Sequence, residues 1–60
     1  MPNVIVQQLP KSPEAKRELV QRITDAFVDA YKSTPESVHV WIEEYPVDGY
    51  AVAGKLMADR

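Results

Sequence analysis

The sequence predicts an α/β protein: a single β-α-β unit with parallel strands and a short C-terminal strand or hairpin, completed by oligomerisation. Three observations predict it. A β-branched run, Val4-Ile5-Val6, stands near the start of the chain; an apolar stripe at helical spacing follows Ser12-Pro13-Glu14; and a segment of period two, Val38 to Tyr45, follows the helix. Strand, long helix, strand in that order implies a right-handed crossover that lays the two strands parallel.

Asn3 to Leu9 reads as the first strand, apolar on both faces and ended by Pro10. Ser12 supplies an N-cap hydroxyl, Pro13 occupies the first helical position, where its missing N–H costs nothing, and Glu14 places an acid in the first turn. Ala15, Leu19, Val20, Ile23, Ala26, Phe27, Ala30 and Tyr31 then fall three or four residues apart, one stripe along roughly five turns. Pro35 breaks the pattern by forcing Thr34 toward an extended conformation. In the second strand Val38, Val40 and Ile42 point one way, and His39, Trp41, Glu43 and Tyr45 the other. Pro46-Val47-Asp48-Gly49 is a turn with glycine available for positive φ, and Tyr50 to Gly54 reads as a short strand or hairpin.

Sixty residues form one domain, 1–60, and such a chain hides only about 60% of the surface its unfolded form exposes. With no cysteine and one histidine, disulfides and a structural metal are unavailable, and association is the remaining remedy. The sheet needs it too, because parallel strands are covered on both faces and one helix covers only one. No run approaches the roughly 20 apolar residues of a membrane span, and no charged region precedes an apolar core, so a cytoplasmic protein is expected. Seven basic residues against nine acidic give a net charge of -2, and the bases are scattered, which argues against nucleic acid as a partner.

Pro2 is the first candidate for chemistry. Aminopeptidases remove an initiator methionine that precedes a small residue, and Pro2 would then carry a free secondary amine. A free α-amine titrates at about 7.7–8.0 in simple peptides, and an apolar pocket with nearby cations pulls such a group toward neutrality, where a general base works best. Lys11, just past the first strand, stands where α/β sheets bind ligands and could hold a carboxylate as a point charge. His39 is the only histidine and cannot build a metal site alone. Glu43 and Glu44 are adjacent on a strand, face opposite ways and form no acid/base pair. There is no serine triad, cysteine nucleophile or glycine-rich phosphate loop, and both glycines read as structural.

Met1-Pro2, the helix SPEAKRELVQRITDAF, the strand VHVWIEEY and the ending DGYAVAGKLMADR together resemble the 4-oxalocrotonate tautomerase (2-hydroxymuconate tautomerase) family over essentially the whole chain. The resemblance implies short β-α-β subunits assembled as hexamers built from dimers, although a dimer would also suffice to cover the sheet. It implies the amino-terminal proline, Pro2, as general base, and a cofactor-independent, metal-free isomerase of small unsaturated 2-hydroxy or 2-oxo acids. The family's loop arginine matches Lys11, its strand arginine His39 and its phenylalanine Tyr50. Lys11 keeps the charge without the fork, His39 is cationic only when protonated, and Tyr50 adds a hydroxyl to an apolar wall.

On that resemblance Pro2 would take a proton from an enol hydroxyl or an activated carbon and return it at another carbon. Lys11 would hold the carboxylate, His39, from a neighbouring subunit, would stabilise charge on the 2-oxygen, and Tyr50 and Trp41 would exclude water. Two alternatives stand beside it: a proline-dependent dehalogenase or hydratase of unsaturated acids, and a non-catalytic oligomeric binding or assembly module.

Overall fold

The computed structural model describes all 60 residues. Strands β1 (Asn3–Gln8) and β2 (His39–Glu44) pair in parallel, with Asn3 opposite His39 and Gln8 opposite Glu44. Helix α1 (Pro13–Tyr31) crosses between them, and a short antiparallel hairpin, β3 (Ala51–Val52) with β4 (Lys55–Leu56), follows. The helix begins as its capping residues dictate: Ser12 is extended and its hydroxyl accepts the Ala15 N–H at 3.2 Å. It ends at Lys32, whose left-handed backbone (φ 59°) lets its N–H reach the Val28 carbonyl at 3.1 Å.

Burial alternates along β1, with Val4, Val6 and Gln8 half-buried beneath the helix and Asn3, Ile5 and Gln7 exposed on the other face. The helix meets the sheet through Leu19, Val20, Ile23, Thr24, Phe27 and Val28. This stripe is rotated from the expected one: Ala15, Ala26, Ala30 and Tyr31 are exposed, while Lys16 and Thr24 turn inward. The alanines lie on the flank of the apolar arc, and Tyr31, in the last turn, packs edge-on against Phe27.

Three further expectations are adjusted. The second strand is shorter than Val38 to Tyr45, because Pro35–Ser37 forms a 3₁₀ turn whose last N–H bond, from Val38 to the Pro35 carbonyl at 3.2 Å, delays its start. Gly49 does not use positive φ; it closes the Pro46 turn by donating its N–H to the Pro46 carbonyl at 2.9 Å, and a Cβ there would press on the Pro46 ring at 3.3 Å. In this C-terminal segment the left-handed residues are instead Ala53 (φ 54°) and Gly54 (φ 79°), which form the two-residue turn of the hairpin. Positive φ at both positions is the type I′ geometry whose twist suits paired strands.

No residue of the isolated chain is fully buried. The chain exposes 4663 Å², where a compact monomer of its mass would expose about 3,950 Å². Its radius of gyration is 14.5 Å against about 10 Å for a compact chain of this length. The excess has two sources. The face of the sheet opposite the helix is open, with Ile5 62% and Trp41 49% exposed as direct cross-strand partners. The C-terminal hairpin stands away from the β-α-β body, stretching the molecule to 43 × 23 × 14 Å. No helix is long and apolar enough to cross a membrane.

Candidate active site

The parallel register sets Pro2 beside His39. The Pro2 carbonyl accepts the His39 N–H at 3.0 Å, which extends the ladder one step before β1 begins. Met1 projects beyond this step, outside the strand and 84% exposed. The His39 ring lies on the open face of the sheet, stacked on Trp41 with centroids 5.9 Å apart and planes 24° from parallel. This alternation of His39 and Trp41 on one face is what the period of the second strand predicts.

Lys11 occupies the loop that leaves the far end of β1. Its ammonium has no hydrogen-bond or ion-pair partner within the chain. Its backbone N–H is held: Glu44 Oε2, from the end of β2, accepts it at 3.0 Å. The same oxygen takes the Lys16 ammonium at 3.0 Å, with both side chains 28% exposed. The Lys11 N–H first, and the Lys16 ammonium after it, hold the Glu44 carboxyl below its ordinary value of 4.5. The Gln8 amide, which faces Glu44 across the ladder and makes no full hydrogen bond of its own, also favours the charge. Glu44 therefore does structural work that adjacency on a strand did not reveal. One signal was available: Lys16 interrupts the apolar spacing at a position that faces the sheet.

A lowered folded-state pKa has a defined consequence. The stability contributed by Glu44 is complete above its unfolded value and is lost as pH falls through the lowered folded value. Acidification below pH 4.5 is expected to lower the thermal midpoint of the native chain more steeply than that of a Glu44→Gln variant. Parallel slopes in calorimetry over that window would show that Glu44 carries no such linkage.

Tyr50 lines a cleft of about 410 Å³ with Gln7, Gln8, Leu9, Tyr45 and Gly49, at the same end of the sheet as Lys11. Beside it, Glu43 Oε1 accepts both the Tyr45 hydroxyl at 3.0 Å and the Gln7 amide at 3.1 Å. The bond to Glu43 raises the Tyr45 pKa, since losing that proton would set two negative charges together. Glu43 and Glu44 thus serve opposite sides of β2, in keeping with their adjacency.

The four residues predicted to act together form two groups in one chain. Pro2 and His39 sit where the strands start; Lys11 and Tyr50 lie past where they end. Six residues of strand, about 3.3 Å each, place roughly 20 Å between the groups, and the cleft at Tyr50 does not include Pro2. No cluster of side chains in the chain could hold a metal ion.

Comparison with known proteins agrees with the fold. The profile of a family described as tautomerase enzyme matches residues 2–60. A probable tautomerase of Halalkalibacterium halodurans is 44% identical over the full length of both chains. The 2-hydroxymuconate tautomerase of Bacillus subtilis is 42% identical, over 98% of this chain and 97% of its own. Among solved structures, YwhB, a homologue of 4-oxalocrotonate tautomerase, superposes with a TM-score of 0.91 at 40% identity, covering 98% of each chain. A further 4-oxalocrotonate tautomerase homologue superposes with a TM-score of 0.92 at 34% identity, over 100% of this chain and 97% of its own.

Proposed function

The chain belongs to the tautomerase family and is an isomerase, and from that premise we propose that it shifts the double bond of small unsaturated 2-hydroxy or 2-oxo acids with Pro2 as general base. The observation that carries this reading is the position of Pro2. It stands at the head of β1, bound through its carbonyl to His39 while its nitrogen is attached only to an exposed Met1. Removing Met1 breaks no hydrogen bond of the fold and frees a secondary amine held in place by the ladder. The ring fixes that amine's direction, because the pyrrolidine allows little rotation about the N–Cα bond.

The amine takes a proton from the 2-hydroxyl or from an activated carbon, and the electron pair moves through the conjugated system. The proton returns at a different carbon. The substrate's own oxo group stabilises the dienolate, so no cofactor or metal is required. Lys11, with its ammonium unpaired, holds a carboxylate, and His39 stabilises charge on the 2-oxygen. Tyr50 and Trp41 exclude water from the reacting atoms.

The roughly 20 Å between the two groups gives the site its architecture. Pro2 of one subunit works with Lys11 and Tyr50 of another, which moves the neighbour's expected contribution to those two residues from His39, bonded beside Pro2 in its own chain. The contacts between subunits also cover the open Ile5–Trp41 face. A homohexamer satisfies both needs.

Intact mass joined to a pH–rate profile tests the reading. Chains lacking Met1 are expected to isomerise 2-hydroxymuconate, with activity rising as the amine loses its proton near neutrality. Chains that keep Met1 have an amide nitrogen at Pro2 and are expected to be inactive. Equal turnover by a preparation whose mass still includes Met1 would refute the assignment of Pro2.

A further inference from the structure

Three groups converge where β1 and β2 end: the Glu44 carboxylate, the Lys11 N–H and the Lys16 ammonium, all meeting at Glu44 Oε2. The geometry points to Glu44 as a positioning residue, which fixes the loop carrying Lys11 so that the unpaired ammonium is presented to a substrate carboxylate. The inference rests on the proposed role of Lys11 and goes beyond it, because Glu44 touches the backbone of Lys11 and not the substrate.

The physical reasoning starts from the loop itself. Pro10 has no N–H and Ser12 begins the helical cap, so between those two Lys11 is the residue with a backbone donor to give. That donor goes to a charged acceptor, the stronger class of hydrogen bond. Glu44 is anchored at the end of the ladder opposite Gln8, and the next residue, Tyr45, donates its N–H to the Gln8 carbonyl at 2.9 Å. The carboxylate therefore belongs to the sheet and the amide to the loop. Lys16, from the first turns of α1, holds the carboxylate from the helix side and leaves the Lys11 ammonium without a competing anion. Without Glu44 the loop keeps its cap but loses its tie to the sheet, and Lys11 samples positions from which a carboxylate is met less often.

A double-mutant cycle in the intact assembly tests this, with 2-hydroxymuconate as substrate. Lys11→Ala and Glu44→Ala are each expected to raise KM roughly tenfold with kcat changed less than about twofold, the pattern of lost binding common to ground and transition states. Glu44→Ala placed in the Lys11→Ala background is expected to add less than about twofold, because both act through one ammonium. Glu44→Gln retains an acceptor oxygen for the loop N–H and is expected to recover most of the loss. Hydrogen exchange by NMR gives a readout independent of any variant's folding: the Lys11 amide is expected to be protected in the native chain.

If Lys11→Ala leaves KM unchanged, the reading of Lys11 itself fails and the inference falls with it. If Lys11→Ala raises KM while Glu44→Ala does nothing, or adds its full effect in the double variant, only the positioning role is overturned. A Lys11 amide that exchanges as fast as an unstructured one overturns it too.

Discussion

Replacing Pro2 with alanine is expected to lower kcat/KM toward 2-hydroxymuconate by about 10²–10⁴-fold, the range that a positioned general base contributes. The substitution isolates the amine. Alanine is also small enough for Met1 to be removed, and the fold uses only the Pro2 carbonyl, in the bond to the His39 N–H. Circular dichroism and assembly mass should therefore match those of the native chain. What changes is a secondary amine in a rigid ring, replaced by a primary amine that rotates freely about its bond to Cα. Much of a base's value lies in holding its lone pair along the line of proton transfer, and this freedom forfeits it. A correctly processed Pro2→Ala chain with activity within a few-fold of native would remove Pro2 from the mechanism.

The second large effect concerns assembly. Ile5→Glu is expected to leave no stable oligomer and to abolish the cooperative thermal transition along with activity. In an isolated chain this substitution would be mild, because Ile5 is 62% exposed, with Trp41 as its partner across the strand. In an assembly it takes away the burial of one isoleucine per subunit, about 1.5–3 kcal/mol. It also leaves a carboxylate without a partner in an apolar contact, which costs several kcal/mol more. With no fully buried residue of its own, a subunit has little with which to offset either loss. Sedimentation and calorimetry decide the matter: native mass and an unchanged midpoint in the Ile5→Glu chain would show that this face is not an interface.

The β-α-β unit was legible because its determinants are local. Ser12, Pro13 and Glu14 mark a helix start by their own stereochemistry, and Val4-Ile5-Val6 and the alternation through Trp41 mark strands without reference to anything distant. The open face was legible too, since a chain of sixty residues with one helix leaves half the sheet uncovered. The 3₁₀ turn at Pro35–Ser37 was harder, because proline announces a break and not the conformation that replaces it. Gly49 misled for a related reason: glycine permits positive φ but also suits the fourth position of an ordinary turn, where a side chain would meet the Pro46 ring.

Candidate site residues can be named from the sequence, but not how the fold groups them. Lys11 and Pro2 lie within ten residues of each other in sequence, yet a strand separates them by its full length. Glu44 escaped notice because its partners are a backbone amide 33 residues away and a lysine on another element, neither of which leaves a local pattern. Pairings of that kind are set by the crossover, which composition and spacing describe only in outline.

The hairpin at the C-terminus has a consequence of its own. Its two left-handed residues, Ala53 and Gly54, give the turn the same sense of twist as the strands it joins. The Met57 N–H reaches back to the Tyr50 carbonyl at 2.8 Å and the Ala58 N–H to the Val47 carbonyl at 2.9 Å. The arm has thus acquired its shape before it meets anything. A floppy tail would surrender about 1–2 kcal/mol of backbone freedom for every residue it froze on docking, whereas a limb already set in form surrenders far less, so even a modest patch of contact suffices to hold it.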